Sequence, residues 1–303
     1  MADLDQSKLY FGDGEQIWTQ SDIDDLYRDL TDIVRGFKPD EVYFFFYLMI
    51  LKNEGLLNEF HDLLKEYQIK SSPEFTEIEH FICKKITERL SNQEGPFYDT
   101  LSIFQNSLWH YRFYDFIEVF DEVRSEIFSS NFTYFFEHLL LYYYNFKTEF
   151  DALGSHPREI NHLIRLLANP KEDASIYNPF AGIASFITTF PSTESYYGEE
   201  KNLKIWAIGL FRTMAHGLFE PEAFLHEDSF SNRLPTGKKF DFVVSNPPFG
   251  LQDYPKAENK SNKTDPTQVV ISRGLNILKP GGEIFVTASE AFLYSDRYCQ
   301  FRK

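Results

Sequence analysis

The chain has 303 residues, 46 acidic against 30 basic side chains, and a formal net charge of −16. That length can hold two domains, and that charge argues against a free-standing nucleic-acid binder. Two cysteines, Cys83 and Cys299, lie far apart and outside any metal-ligand spacing, which argues against a disulfide framework or a zinc site and fits a reducing cytoplasm.

Residues 1–150 read as helical. Ile23, Leu26, Leu30 and Ile33 recur at three- and four-residue spacings, which predicts a helix over 22–34 with Ser21 as its N-cap. Lys38-Pro39-Asp40 opens a second helix through Tyr43 to Leu51, apolar on every side, as the centre of a bundle would be. Gly95-Pro96 breaks the chain before helices over 101–109, 114–128 and 132–144, whose aromatic clusters Phe135-Phe136 and Tyr142-Tyr143-Tyr144 read as core. This half holds 28 acids against 13 bases, so nearly all the negative charge is here. A nucleic-acid duplex would be repelled by it unless a partner supplied positive surface. The start, Met1-Ala2-Asp3-Leu4-Asp5, lacks the features of a signal peptide, and no run of about 18 uncharged apolar residues marks a membrane span.

From about residue 155 short apolar runs alternate with amphipathic segments. Strands are expected at 175–178, 195–198, 223–226, 240–245 and 283–288, with helices at 156–168, 183–190, 202–216 and 267–278. That alternation is the order of a doubly wound parallel sheet, in which ligands sit beyond the C-terminal strand ends. The strand Phe240–Ser245 runs into Asn246-Pro247-Pro248-Phe249-Gly250. The Asn246 side-chain oxygen and the Pro247 carbonyl can each accept a bond from a planar amine, which localises the nitrogen lone pair for attack on an electrophile. The two prolines stiffen the loop and preorganise the acceptors. Phe249 offers a face for a flat base.

Asn246-Pro247-Pro248-Phe249 resembles motif IV of amino-methyltransferases that use S-adenosylmethionine. Asn178-Pro179-Phe180-Ala181-Gly182-Ile183-Ala184 resembles their motif I, (Asp/Asn)-Pro-x-x-Gly-x-Gly, with Ala184 in place of the last glycine. That replacement is mild if φ is negative there and costly if φ is positive. Small residues at this turn let backbone approach the cofactor, and free N–H groups at a helix start can hold its carboxylate. Gly198-Glu199-Glu200-Lys201-Asn202 matches Gly-x-Glu-x-Asn, which implies Glu200 on the ribose hydroxyls, with Glu199 as the substitute if the register is one residue off. The resemblance implies Asp228 on the adenine amino group, with Ser229 beside it and Phe230 against the ring. His226, Glu227 and Asp228 could suggest a metal, but methyl transfer to an amine needs none, and no metal is expected. His156-Pro157 stands where motif X, usually (Tyr/Phe)-Thr-Pro, contacts the methionine part, with His156 replacing the threonine.

In this order the motifs are similar to the γ-type arrangement of DNA adenine-N6 methyltransferases, and the whole chain resembles the modification subunit of a type I restriction-modification system. The resemblance implies an α/β protein: an N-terminal helical bundle (1–150), then a Rossmann-like doubly wound S-adenosylmethionine-dependent methyltransferase domain (151–303). It implies S-adenosylmethionine as cofactor, DNA as substrate, and a hetero-oligomer with a specificity subunit and, beyond it, a restriction subunit, in the cytoplasm. Relatives continue past the strand at 283–288, so a C-terminally truncated sheet with an exposed edge is expected. Two other readings stand beside this one: an amino-methyltransferase acting on protein glutamine or ribosomal RNA guanine, and an inactive assembly or cofactor-binding module.

Overall fold

The computed structural model describes residues 19–36, 42–66, 117, 120–146, 158–188, 190, 195–217, 223–231, 235, 237–248 and 265–301. Helix α1 (Gln20–Arg35) starts one turn before its first apolar residue. Its N-cap is Thr19, not Ser21, because Thr19 and Asp22 close a reciprocal capping box that Ser21, already inside the helix, cannot. Helix α2 (Val42–Asn53) has Phe45 through Leu51 buried at every turn, as its uniform apolarity requires. Helices α3 (Leu57–Glu66), α4 (Ser125–Ser130) and α5 (Phe132–Phe146) complete the described helical half. The expected helix over 114–128 breaks at Val123-Arg124, and that over 101–109 lies outside the described residues.

Helix α6 (Arg158–Ala168) leads into β1 (Ser175–Pro179), followed by β2 (Ser195–Glu200), α7 (Leu203–Ala215), β3 (Phe224–His226), β4 (Phe240–Ser245), α8 (Pro266–Ile277), β5 (Leu278–Val286) and a short α9 (Ala291–Tyr294). The five strands form one parallel sheet in the order β3-β2-β1-β4-β5. The chain therefore winds one way from β1 through β2 to β3 and reverses to β4, which leaves a crevice between the ends of β1 and β4. The architecture is a Rossmann-like α/β fold preceded by helices, as the motif order implies.

Side chains alternate across the sheet with a period of two. Ile176 and Val244 join the core shared with α7 and the helical half, while Tyr177 and Val243 join a second cluster with Val270 and Ile277 of α8. The first cluster is continuous from Ile23 through Phe46, Phe136 and Phe211 to Val244. Gly209 lets α7 lie close on the sheet: a Cβ there would come within 2.5 Å of the Phe224 ring.

Two expected elements differ. Residues 183–190 do not form an α-helix but a single 3-10 turn, Ser185–Thr188, because Gly182 and Ala184 ahead of it both take left-handed backbone. The last strand begins at Leu278 rather than Glu283, with a register irregularity opposite Phe240–Phe242 that absorbs Lys279-Pro280-Gly281-Gly282. Among the described residues β5 pairs only with β4, and Leu275 of α8 and Leu293 and Tyr294 of α9 are exposed.

Candidate active site

The C-terminal strand ends carry most of the residues singled out from the sequence. His156, Pro157 and Phe249 lie outside the described residues. Asn178 is fully buried in β1, where its Nδ2 donates to the Tyr196 hydroxyl at 2.8 Å and its Oδ1 has no partner. Beyond it the chain turns sharply. Phe180, Gly182 and Ala184 have φ of 55°, 59° and 54°. Glycine accepts this backbone freely, but each of the other two pays roughly 1–2 kcal/mol for it. The costly case for Ala184 is thus the one observed. The turn is fixed by Ala181 N donating to the Glu199 carbonyl at 2.9 Å and by Gly182 N donating to Glu200 Oε2 at 3.0 Å.

The two glutamates at the end of β2 divide cleanly. Glu199 turns into the protein, where Arg273 Nη2 donates to both its carboxylate oxygens at 2.7 and 2.8 Å. The Tyr177 hydroxyl at 2.9 Å and the Ser229 hydroxyl at 3.0 Å donate to it as well. Burial pushes this carboxyl up, and Arg273 and the two hydroxyls pull against that. Glu200 turns toward the strand end. Its Oε1 accepts from Asn202 N at 2.7 Å, and burial raises its carboxyl above the ordinary range, against bonds from the Asn202, Gly182 and Lys201 backbone. Asn202 is in turn the N-cap of α7, its side chain accepting from Lys204 N and Ile205 N. The Gly-x-Glu-x-Asn spacing thus has a local cause: strand end, outward carboxylate, helix cap.

After β3, Asp228 accepts from Phe230 N at 3.0 Å and pairs with Lys201 at 2.8 Å. Ser229 is buried, and its Oγ accepts from Phe180 N at 3.1 Å. Phe180 and Phe230 meet edge to face, with centroids 5.1 Å apart. His226 bonds the Lys201 carbonyl, and among the described residues no three His, Cys, Asp or Glu side chains gather into a metal-binding group.

On the other side of the crevice, Ser245 Oγ donates to the Pro179 carbonyl at 2.6 Å, which stitches the end of β4 to the end of β1. Asn246 follows at once, with Pro247 buried and Pro248 exposed. The Thr287 hydroxyl, just beyond β5, donates to Asn246 Oδ1. A carbonyl oxygen has two lone pairs, so this bond orients the amide and leaves one acceptor site.

Sequence reasoning missed Arg273 and Thr287. Arg273 also donates to the Ser231 carbonyl at 2.6 Å and to the Tyr177 hydroxyl at 2.7 Å, so one guanidinium touches β1, β2 and the β3 loop. Its signal was available: a single cation in the otherwise neutral helix Pro266–Ile277. Thr287 had none.

Residues 131–276 match the family model for N-6 DNA methylases. The matched segment begins at α5, the last described helix of the helical half, and ends in α8. Solved structures agree on the fold. A chain of a type I restriction-modification complex, studied for assembly and conformational transition, superposes with a TM-score of 0.60 at 18% identity over 91% of this chain. This chain spans 65% of that one. A modification subunit assigned to a type I restriction enzyme of Vibrio vulnificus gives 0.59 at 15% identity, over 95% of this chain and 76% of that one. The methyltransferase subunit of a type I system from Streptococcus thermophilus gives 0.51 at 13%, over 89% and 75%. No curated protein matches the sequence significantly.

Proposed function

We propose that this chain is an S-adenosylmethionine-dependent DNA adenine-N6 methyltransferase, the modification subunit of a type I restriction-modification system. One observation carries the reading. The Asn246-Pro247-Pro248 loop follows β4 beside the β1 turn, whose neighbouring strand ends carry the carboxylates of Glu200 and Asp228 and the rings of Phe180 and Phe230, and the Ser245–Pro179 bond joins the two sides. The N-6 methylase match over 131–276 supports it.

The donor set fits the cofactor. Glu200 would take the ribose hydroxyls, since its bonds to Gly182 N and Asn202 N leave acceptor sites on both oxygens. Asp228 would take the adenine amino group, beside Ser229, with the ring against Phe230 and Phe180 packed edge to face on Phe230, centroids 5.1 Å apart. The turn Asn178-Pro179-Phe180-Ala181-Gly182 and, upstream, His156-Pro157 would face the methionine part. When bound, S-adenosylmethionine supplies a methyl group on a cationic sulfonium.

The chain's own task is then to present a nitrogen. A target adenine swung out of the duplex lays its ring on Phe249 and donates its two amino hydrogens to Asn246 Oδ1 and the Pro247 carbonyl. Both bonds draw the nitrogen toward tetrahedral geometry. Thr287 holds the Asn246 amide in place, so little rearrangement is needed during the reaction.

The helical half (1–150) would serve the catalytic half (151–303) as a docking and assembly region. Its acidity leaves DNA binding to positive surface on a specificity subunit, with a restriction subunit as a further partner. Among the described residues no helix is long and apolar enough to cross a membrane, and we place the protein in the cytoplasm. The test is Asn246→Ala, assayed with a specificity subunit and cognate DNA. Methylation should fall by about 10²–10³-fold while S-adenosylmethionine still binds. Undiminished methylation would overturn the reading.

A further inference from the structure

We propose that Arg212, held by Glu137 of the helical half, is a positioning residue for the turn after β1, so that the seating of α5 on α7 sets how firmly the cofactor is gripped. The inference rests on the cofactor reading above and extends it to a residue pair outside every motif.

The turn cannot hold its own shape. Residues kept in left-handed backbone persist only where their surroundings over-determine them, and Phe180 and Ala184 are both of this kind. The surroundings are specific. Arg212 Nη1 donates to the Ile183 carbonyl at 3.3 Å and to Ser185 Oγ at 3.4 Å, on either side of Ala184. Asn161 of α6 donates to the Ser185 carbonyl at 3.2 Å.

Arg212 is itself aimed by another helix. Its Nε and Nη2 donate to Glu137 Oε1 and Oε2 at 2.6 and 2.7 Å, a bidentate pair between α7 and α5. His216 Nε2 meets the same carboxylate at 3.0 Å. Both members of the pair are buried, with 7% and 13% of their side chains exposed. Burial alone would raise the Glu137 carboxyl, but the Arg212 charge and the bonds from His216 and Arg212 outweigh it and hold the group well below the usual range.

A guanidinium is a rigid planar fork. Two of its nitrogens locked on Glu137 fix the direction of the third, which is the one on the turn. Lysine could keep the charge pair but could not reach both ways. The helix that carries Glu137 ties to the last turn of α7 a second time, where Thr133 Oγ1 donates to the Ala215 carbonyl. A shift of α5 therefore moves Arg212 and loosens the turn. By linkage, a ligand that needs the ordered turn must in return tighten the contact of α5 with α7.

The experiment uses the full chain without and with S-adenosylmethionine, in three variants. Glu137→Gln keeps the shape of the side chain and removes its charge. Arg212→Lys keeps the charge pair and removes the contact with the turn. Leu57→Ala opens a cavity at the start of α3, a helix that carries neither member of the pair. We measure melting temperature, cofactor affinity by calorimetry, and deuterium uptake of the peptide covering 181–186 in the ligand-free protein. Glu137→Gln and Arg212→Lys should speed uptake in that peptide and weaken cofactor binding about tenfold. Leu57→Ala should lower the melting temperature at least as much and leave uptake and affinity at the wild-type level. Unchanged uptake in Arg212→Lys, or a turn loosened equally by Leu57→Ala, would overturn the proposal. Wild-type protein that bound no cofactor would instead defeat the functional reading, and the ligand-free uptake would still decide the role of Arg212.

Discussion

The loops after β1 and β4 face one another across the same crevice and are made rigid by opposite means. The β4 loop carries its stiffness in its own covalent structure, since two prolines fix φ and restrict their neighbours. The β1 turn has a proline only at its entrance, Pro179. It contains three left-handed residues, only one of them glycine, and is held from outside by Glu200, Ser229, Arg212 and Asn161. The difference teaches where damage should fall. A change within the β4 loop should act locally on the reaction, while the β1 turn should respond to changes at distant residues.

The largest expected effect lies in the outside support. Glu199→Ala leaves Arg273 buried without its partner and should destabilise the protein by about 3–5 kcal/mol, read as a fall in melting temperature. An effect below about 1 kcal/mol would mean that the turn and the β3 loop stand without that network. Next comes acid. Glu200 holds the turn and, on the proposed reading, the ligand, and its carboxyl is raised by burial. The ionised form is the acceptor, so cofactor affinity should be full at neutral pH and fall about tenfold as the pH drops through a range above that of an ordinary glutamate. Calorimetry across pH 4–7 (roughly the span between free glutamate and neutrality) with Glu200→Gln as the flat reference measures this. Pro248→Ala should cost no more than about 1 kcal/mol of stability yet slow methylation several-fold with cofactor affinity unchanged. Equal loss in affinity would show that the two loops are not independent. The smallest effect is Ala184→Gly. Relief of about 1–2 kcal/mol of backbone strain is offset by about 0.4–1 kcal/mol of extra freedom in the unfolded chain and about 0.8 kcal/mol for the buried methyl lost, so stability in denaturant melts should stay within about 0.5 kcal/mol of the wild type.

Legibility in the sequence follows the same division. The strand–helix alternation and the Asn-Pro-Pro loop were readable because strand periodicity and proline act on their immediate neighbours. Glu200 was readable from its spacing to Gly198 and Asn202, though only the structure separates it from Glu199 by turning one inward and the other out. The helix expected over 183–190 failed because its apolar pattern says nothing of the left-handed backbone that precedes it. Arg212, Arg273 and Thr287 act across 27 to 96 residues of chain, and no local pattern records a partner so far away.

The continuous hydrophobic cluster from Ile23 to Val244 has one more consequence. Two modules joined by a polar hinge could be exchanged between relatives or lost separately, each surviving the other. Here a cut near residue 150 would lay bare apolar surface on both products, α2 and α5 on one, α7 on the other. The helical half is therefore not cargo attached to a catalyst, and heat should take the pair apart in one cooperative transition rather than two.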